Sequence, residues 1–258
     1  MNGIRKAVGL PAAFSLIILA VLGCGPEAGR LELSATLDGM PLQNLTITVV
    51  PYDLDQVTET LDRRAATPKP AFGDLETELF DYEPGSGEPF QEVFEDWSRA
   101  RRSVSNLADS LNGLDREAEG YRAAYQRFRA AYAALATREA QLQRRLEEAL
   151  STDRDLVSRA SEAADSLRTW ESEAYSAFDS VATVTSGRRS ISGISGLTDE
   201  MGALNLEPAA GASWIVARTP HPTNPFLEYS WNVPVGISVF VKVRAHLSSG
   251  NVTLRWRR

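Results

Sequence analysis

The sequence predicts an α+β fold: a small antiparallel β-sandwich split by a long antiparallel, coiled-coil-like α-helical insertion. Three observations carry that prediction. Apolar and polar residues alternate with a period of two over residues 30–53 and again over residues 187–258, as in half-buried strands. Between these zones, over residues 90–186, apolar residues recur in steps of four and three. Neither β zone has enough strands to bury its own apolar face, because an isolated hairpin is marginal in water. The two zones therefore need one shared core, and the helices between them are an insertion.

Residues 1–24 stand apart from this fold. Arg5 and Lys6 precede an apolar run from Leu10 to Leu22. That run is short of the roughly 20 residues a spanning helix needs, and the pattern is that of a secretory signal. Val21-Leu22-Gly23-Cys24 then resembles the lipobox of bacterial lipoproteins, and Cys24 is the only cysteine. The resemblance implies lipidation at Cys24 and, with Gly25 following it, the outer membrane facing the periplasm. An ordinary cleaved signal and a true membrane anchor are the alternatives. With one cysteine the chain forms no internal disulfide and must rely on packing. Its net charge of −7 becomes −9 once Arg5 and Lys6 are removed, which argues against nucleic acid as a partner.

In the first β zone, Leu31, Leu33, Ala35 and Leu37 alternate with Arg30, Glu32, Ser34 and Thr36. Asp38-Gly39 is a turn signal, and Leu45, Ile47 and Val49 resume the alternation, so the segment reads as a hairpin. Residues 54–89 form an acidic linker with short helices. In the last zone, "TDEMG" is a turn and "ASWIVAR" a strand. "VPVGISVFVKVRAHL" reads as one long strand with Val233, Val235, Ile237, Val239, Val241 and Val243 on one face. "NVTLRWRR" closes the chain with Val252, Leu254 and Trp256 inward.

The helical register runs from Val93 and Trp97 through Leu142 and Leu146, broken only by Glu139. A second series runs from Leu156 to Val184, with Thr152 or Asp153 offered as its N-cap. Asn112-Gly113 is a breaker pair although the phase runs through it, so residues 90–150 are one helix or two. An unbroken helix would be about 90 Å long at 1.5 Å per residue and would leave Trp97, Val104 and Leu107 unpartnered. A break near residue 113 and a three-helix bundle are therefore expected. Tyr121, Tyr125, Phe128 and Tyr132 should then pack against the small residues Ala160, Ala163, Ala174 and Ala177.

"LELSATLDGMPLQNLTITVVP" resembles the opening strands of carboxypeptidase-regulatory-like domains, whose fold is a transthyretin-like sandwich. "ISGLTDEMGALNLEPAAGASWIVAR" is similar to that family's later hairpin, with Thr198, Asp199 and Gly202 shaping a turn and Gly211 preceding the next strand. The resemblance implies a non-catalytic binding or scaffolding module. "FLEYSWNVPV" is also similar to envelope lipoproteins of this build. The alternative is a periplasmic adaptor of an efflux or secretion complex, since adaptors also insert a helical hairpin into a split β domain.

Chemistry is sparse. The two histidines, His221 in "TPHPTNP" and His246 at a strand end, have no second His or Cys at ligand spacing. No GxSxG elbow and no phosphate-binding loop is present. Asp53 and Asp55 could hold a hard cation, but the further oxygen ligands and sharp-turn Gly of a Ca²⁺ loop are missing, so they read as the start of a short helix. No enzyme activity, cofactor or metal is expected. Nine acids lie between Asp74 and Asp96 without a base, and five bases follow from Lys242 without an acid. Phe240, Lys242, Arg244, Arg255 and Arg257 are expected to form one outward strip. Its cover would be the acidic linker and helices, an envelope protein partner, or the phosphates of the membrane reached through the lipid anchor.

Overall fold

The computed structural model describes residues 28–84, 88–117, 119–187 and 191–257. The lipobox with Cys24, and Arg258, lie outside them. The described chain is mixed α/β, with strands β1 (Leu31–Leu37), β2 (Met40–Pro41) and β3 (Thr46–Val50) at the front. Helices α1 (Leu54–Arg64), α2 (Asp74–Phe80), α3 (Glu88–Asn112), α4 (Glu119–Thr152), α5 (Arg154–Ala174) and α6 (Phe178–Ser186) follow. Strands β4 (Ile194–Leu197), β5 (Ala203–Leu206), β6 (Gly211–Pro220), β7 (Leu227–Ile237), β8 (Val243–Leu247) and β9 (Thr253–Trp256) close the chain.

The strands form two sheets. In the first, β1 is central, with β2 and β5 antiparallel to it and β8 parallel. The second runs β4-β3-β6-β7-β9, antiparallel throughout. Leu31, Leu33, Ala35 and Leu37 of β1 and Leu247 of β8 share one buried cluster with Ile47, Val49, Ile215, Ala217 and Trp231 of the other sheet. Front and back strands thus bury each other's apolar faces, as the alternation predicts.

The pairing departs from the expected hairpins. Asp38 and Gly39 both take positive φ, 51° and 77°, the backbone of a tight two-residue hairpin turn. The returning strand is only Met40–Pro41, however: the Leu42 N–H still bonds the Ala35 carbonyl, but the Ala35 N–H goes to Gly202 and the Leu42 carbonyl accepts the Thr198 hydroxyl, so the pairing stops there. The chain then crosses to the second sheet, and β3 pairs β4 and β6 instead of β1. The turn at 198–202 forms as expected: the Asp199 carboxylate accepts from Met201 and Ala203 N–H, and Gly202 has φ +72°. It joins strands of different sheets, so β4 and β5 are not a hairpin.

The long strand over 233–247 is two strands. β7 ends at Ile237, and residues 238–242 carry the chain to the first sheet, where β8 lies parallel to β1. The first sheet is therefore not wholly antiparallel. Val241 becomes 64% exposed where the single-strand reading put it inward. At the C-terminus Val252 packs on the shared core, and Leu254 on the edge strand is 38% exposed. Trp256 packs edge-on against Phe72, ring centroids 5.3 Å apart.

The helices also break at Asn112, but they do not make a three-helix bundle. The α3–α4 core holds Trp97, Val104, Ala108, Leu111, Phe128 and Leu135, with Met40 and Met201 closing it from the first sheet. Tyr121, Tyr125 and Tyr132 pack here, against α3 and not against the alanines of α5. Leu156 and Ala160 of α5 lie instead with Leu79 of α2, and Val181 and Ala182 of α6 with Val57 and Leu61 of α1. Trp97, Val104 and Leu107 thus find their partner in α4, while the short helices α1 and α2 cover α6 and α5. Asp153 holds the N-cap position of α5 without capping it, because its carboxylate accepts the Tyr82 hydroxyl at 2.9 Å. Glu139 lies by Trp97 and Arg101. Desolvation against α3 pushes its carboxyl up, while the indole and the guanidinium pull it down.

Candidate binding cleft

Because β1 buries its odd-numbered residues, Glu32, Ser34 and Thr36 point to the opposite face. The parallel register sets Arg244 beside Glu32 and His246 beside Ser34 on that same face. The end of α3, the following turn and Tyr121 of α4 stand over it. Between helices and sheet lies a cavity of about 580 Å³, lined on one side by Ser34, Thr36 and His246 and on the other by Asp109, Asn112 and Arg116.

Several contacts hold the walls apart at this spacing. The Arg101 guanidinium donates to the Leu37 carbonyl and to the Asp38 carboxylate, each at 3.1 Å, and stacks 5.3 Å from the Trp97 ring centroid. The Tyr125 hydroxyl donates to Glu200 at 2.7 Å, and Arg129 pairs with the same carboxylate at 3.3 Å. The Asp38 carboxylate in turn accepts from the Ser249 hydroxyl, and the Asp38 backbone N–H donates to that hydroxyl's oxygen, which ties the first sheet's turn to the segment after β8.

Within the cleft His246 lies between two hydroxyls. Nδ1 is 2.7 Å from Ser34 Oγ, and Nε2 is 3.2 Å from Thr36 Oγ1. Among the described residues no carboxylate hydrogen-bonds either ring nitrogen, so the Ser–His pair lacks the orienting third group that a nucleophilic triad uses. Glu32 accepts from Arg244 Nε and Lys242 Nζ at 3.0 Å each, and these two bonds hold its carboxyl below the ordinary range. The surface is one of hydroxyls, an imidazole and paired charges, suited to hydrogen-bonding a polar ligand. No family model, curated protein or solved structure matches the chain.

The other candidate residues have structural work. His221 Nδ1 accepts from the backbone N–H of Asn224 at 3.0 Å and of Thr223 at 3.3 Å, and its ring lies 5.0 Å from Tyr229. Burial pulls its pKa down. Asn224, 4% exposed, donates to the carbonyls of Leu79 and Tyr82, clamping the end of α2 to the β6–β7 loop. Asp53 caps α1, accepting from the N–H of Asp55 and Gln56 and from the Asn232 amide. Burial pushes Asp55 up, but Arg255 at 2.7 Å outweighs it and its pKa lies below the ordinary value.

The expected basic strip is divided. Arg255 pairs opposite Glu228 near the start of β7, whereas Phe240, Lys242 and Arg244 follow its far end. Nine strand residues separate the two groups, roughly 30 Å at 3.3 Å each. Arg255 is covered by Asp55 of the linker helix, and Arg257 donates its backbone N–H to the Phe226 carbonyl. Phe240 remains 92% exposed. The Ser34–His246 pair was missed because the two lie 212 positions apart. Only the parallel β1–β8 register brings them together, and no local signal encodes it.

Proposed function

We propose that this is a lipid-anchored cell-envelope protein acting as a non-enzymatic binding module. A transthyretin-like β-sandwich, interrupted by a coiled-coil-like α3–α4 insertion, would hold a small polar ligand between sheet and hairpin. The observation that carries the reading is the cleft itself, whose walls are pinned by Arg101, Tyr125 and Glu200 while Ser34, Thr36 and His246 face its open space. Preformed concave sites with a few convergent polar groups are where small molecules bind. The carboxypeptidase-regulatory-like reading rests on the sequence resemblance over residues 31–51 and 194–218, and the outer-membrane anchor and periplasmic location rest on the lipobox.

An adaptor role has less support. An adaptor needs a free hairpin tip, but here the α3–α4 turn stands over the first sheet and the α4–α5 joint is held by Tyr82.

The test is a thermal-shift screen of sugars and amino acids against the wild type and the double variant Ser34→Ala, His246→Ala. A ligand at a hundred times its Kd stabilises the wild type by about 2.7 kcal/mol, and the variant should lose that gain. Hits that stabilise both proteins equally place binding elsewhere and refute the cleft assignment. Palmitate labelling checks the anchor, and Cys24→Ser should abolish incorporation.

A further inference from the structure

Phe240 and Val241 are 92% and 64% exposed, and they are the only adjacent pair among the large exposed apolar residues described. They form the outer part of the segment that carries the chain from β7 to β8. A single exposed apolar residue is ordinary, but an aromatic and an aliphatic side by side at the tip of a crossing segment call for a cover. No described element supplies one.

The surroundings indicate which cover fits. Gly29 is pressed against this segment: a Cβ there would come within 2.3 Å of Ile237 Cγ2 and 2.7 Å of the Ser238 carbonyl. The Val243 N–H bonds the Arg30 carbonyl at 2.9 Å. The crossing segment is thus clasped to residues 29–30, five positions after Cys24 and seven after the end of the apolar Leu10–Leu22 run. Five residues span at most about 18 Å at full extension. A bilayer holding the N-terminal segment therefore lies within reach of Phe240. Arg30, Lys242 and Arg244 flank the pair and are exposed, with Glu32 the carboxylate that pairs two of them. The side-chain set is an aromatic and an aliphatic tip with cations behind, which matches the chemistry of a lipid interface.

We propose that residues 238–244 are a membrane-contact loop. Phe240 and Val241 enter the interfacial region of the leaflet that holds the N-terminal segment, and Arg30, Lys242 and Arg244 face its phosphates. This inference rests on the anchoring reading above and adds an orientation to it: the β7–β8 end of the sheets lies on the membrane.

The experiment uses the full chain, lipid already on Cys24, reconstituted in phosphatidylethanolamine–phosphatidylglycerol vesicles. A nitroxide is placed at Val241→Cys or, as control, at the exposed edge-strand position Leu197→Cys, and its relative accessibility to oxygen and to a polar nickel chelate is read. The proposal expects the label at 241 to favour oxygen several-fold over the label at 197. A chain that floats with the vesicles while both labels are equally aqueous overturns the contact loop and leaves the anchor standing. A chain that does not float overturns both.

Discussion

The two faces of β1 do opposite work. Leu31, Leu33, Ala35 and Leu37 are 4% exposed or less and belong to the core shared by both sheets. Glu32, Ser34 and Thr36, interleaved with them, line the cleft. One strand therefore carries stability and recognition on alternate residues, and the difference shows which substitutions should separate the two. Inner-face changes remove area that water cannot reach, whereas outer-face changes remove groups already partly solvated.

The largest effect is expected on the inner side. Trp231→Ala deletes a fully buried indole and its bond to the Ser248 carbonyl, and should cost about 3–5 kcal/mol in urea unfolding. A loss under 1 kcal/mol would mean that the two sheets do not depend on their common core. Thr198→Val comes next. The hydroxyl accepts from the Leu45 N–H and donates to the Leu42 carbonyl at the crossing between sheets. Leaving these buried groups unpaired should cost about 1–3 kcal/mol. Asp53→Ala removes the α1 cap and the Asn232 bond, an expected loss of about 0.5–2 kcal/mol by the same measurement.

His221 adds a test by pH. Burial lowers the folded-state pKa of His221 below its ordinary 6.5. The unfolded chain then takes up a proton that the folded one resists, so stability is full above that value and declines as pH falls below it. His221→Asn should flatten the decline that begins as pH falls below about 6.5, ahead of the loss as paired carboxylates such as Glu32 and Glu78 protonate below their ordinary 4.5. An unchanged profile would show that His221 is not the responsible group. The smallest stability effect belongs to the cleft. His246→Ala and Ser34→Ala should each shift unfolding by about 0.5 kcal/mol or less while abolishing ligand-induced stabilisation. A shift as large as that of Trp231→Ala would break the division between the faces.

Much of this is written locally in the sequence. Alternation marks the inner residues of β1, β3 and β6, the Asp-Gly and Asp199–Gly202 turns are where their side chains require, and Asn112-Gly113 ends α3. Pairing partners are not local. The period of two says which face of a strand is buried but not which strand lies beside it, so β3 and β4 were read into hairpins they do not form. Heptads likewise show that α5 needs an apolar partner without saying that α2 provides it, since Leu79 sits in an acidic linker. The cleft inherits this limit, because its histidine and its serine meet only through the parallel β1–β8 pairing.

That pairing has a consequence for how the chain acquires its shape. The central strand of the first sheet is β1, yet both of its long partners, β5 and β8, begin more than 170 residues later. Such distant closure is slow. During synthesis, residues 31–37 must wait with one greasy edge uncovered until residue 247 has emerged. The first strand to be made is among the last to be satisfied, and until then it is a natural place for a chaperone to hold.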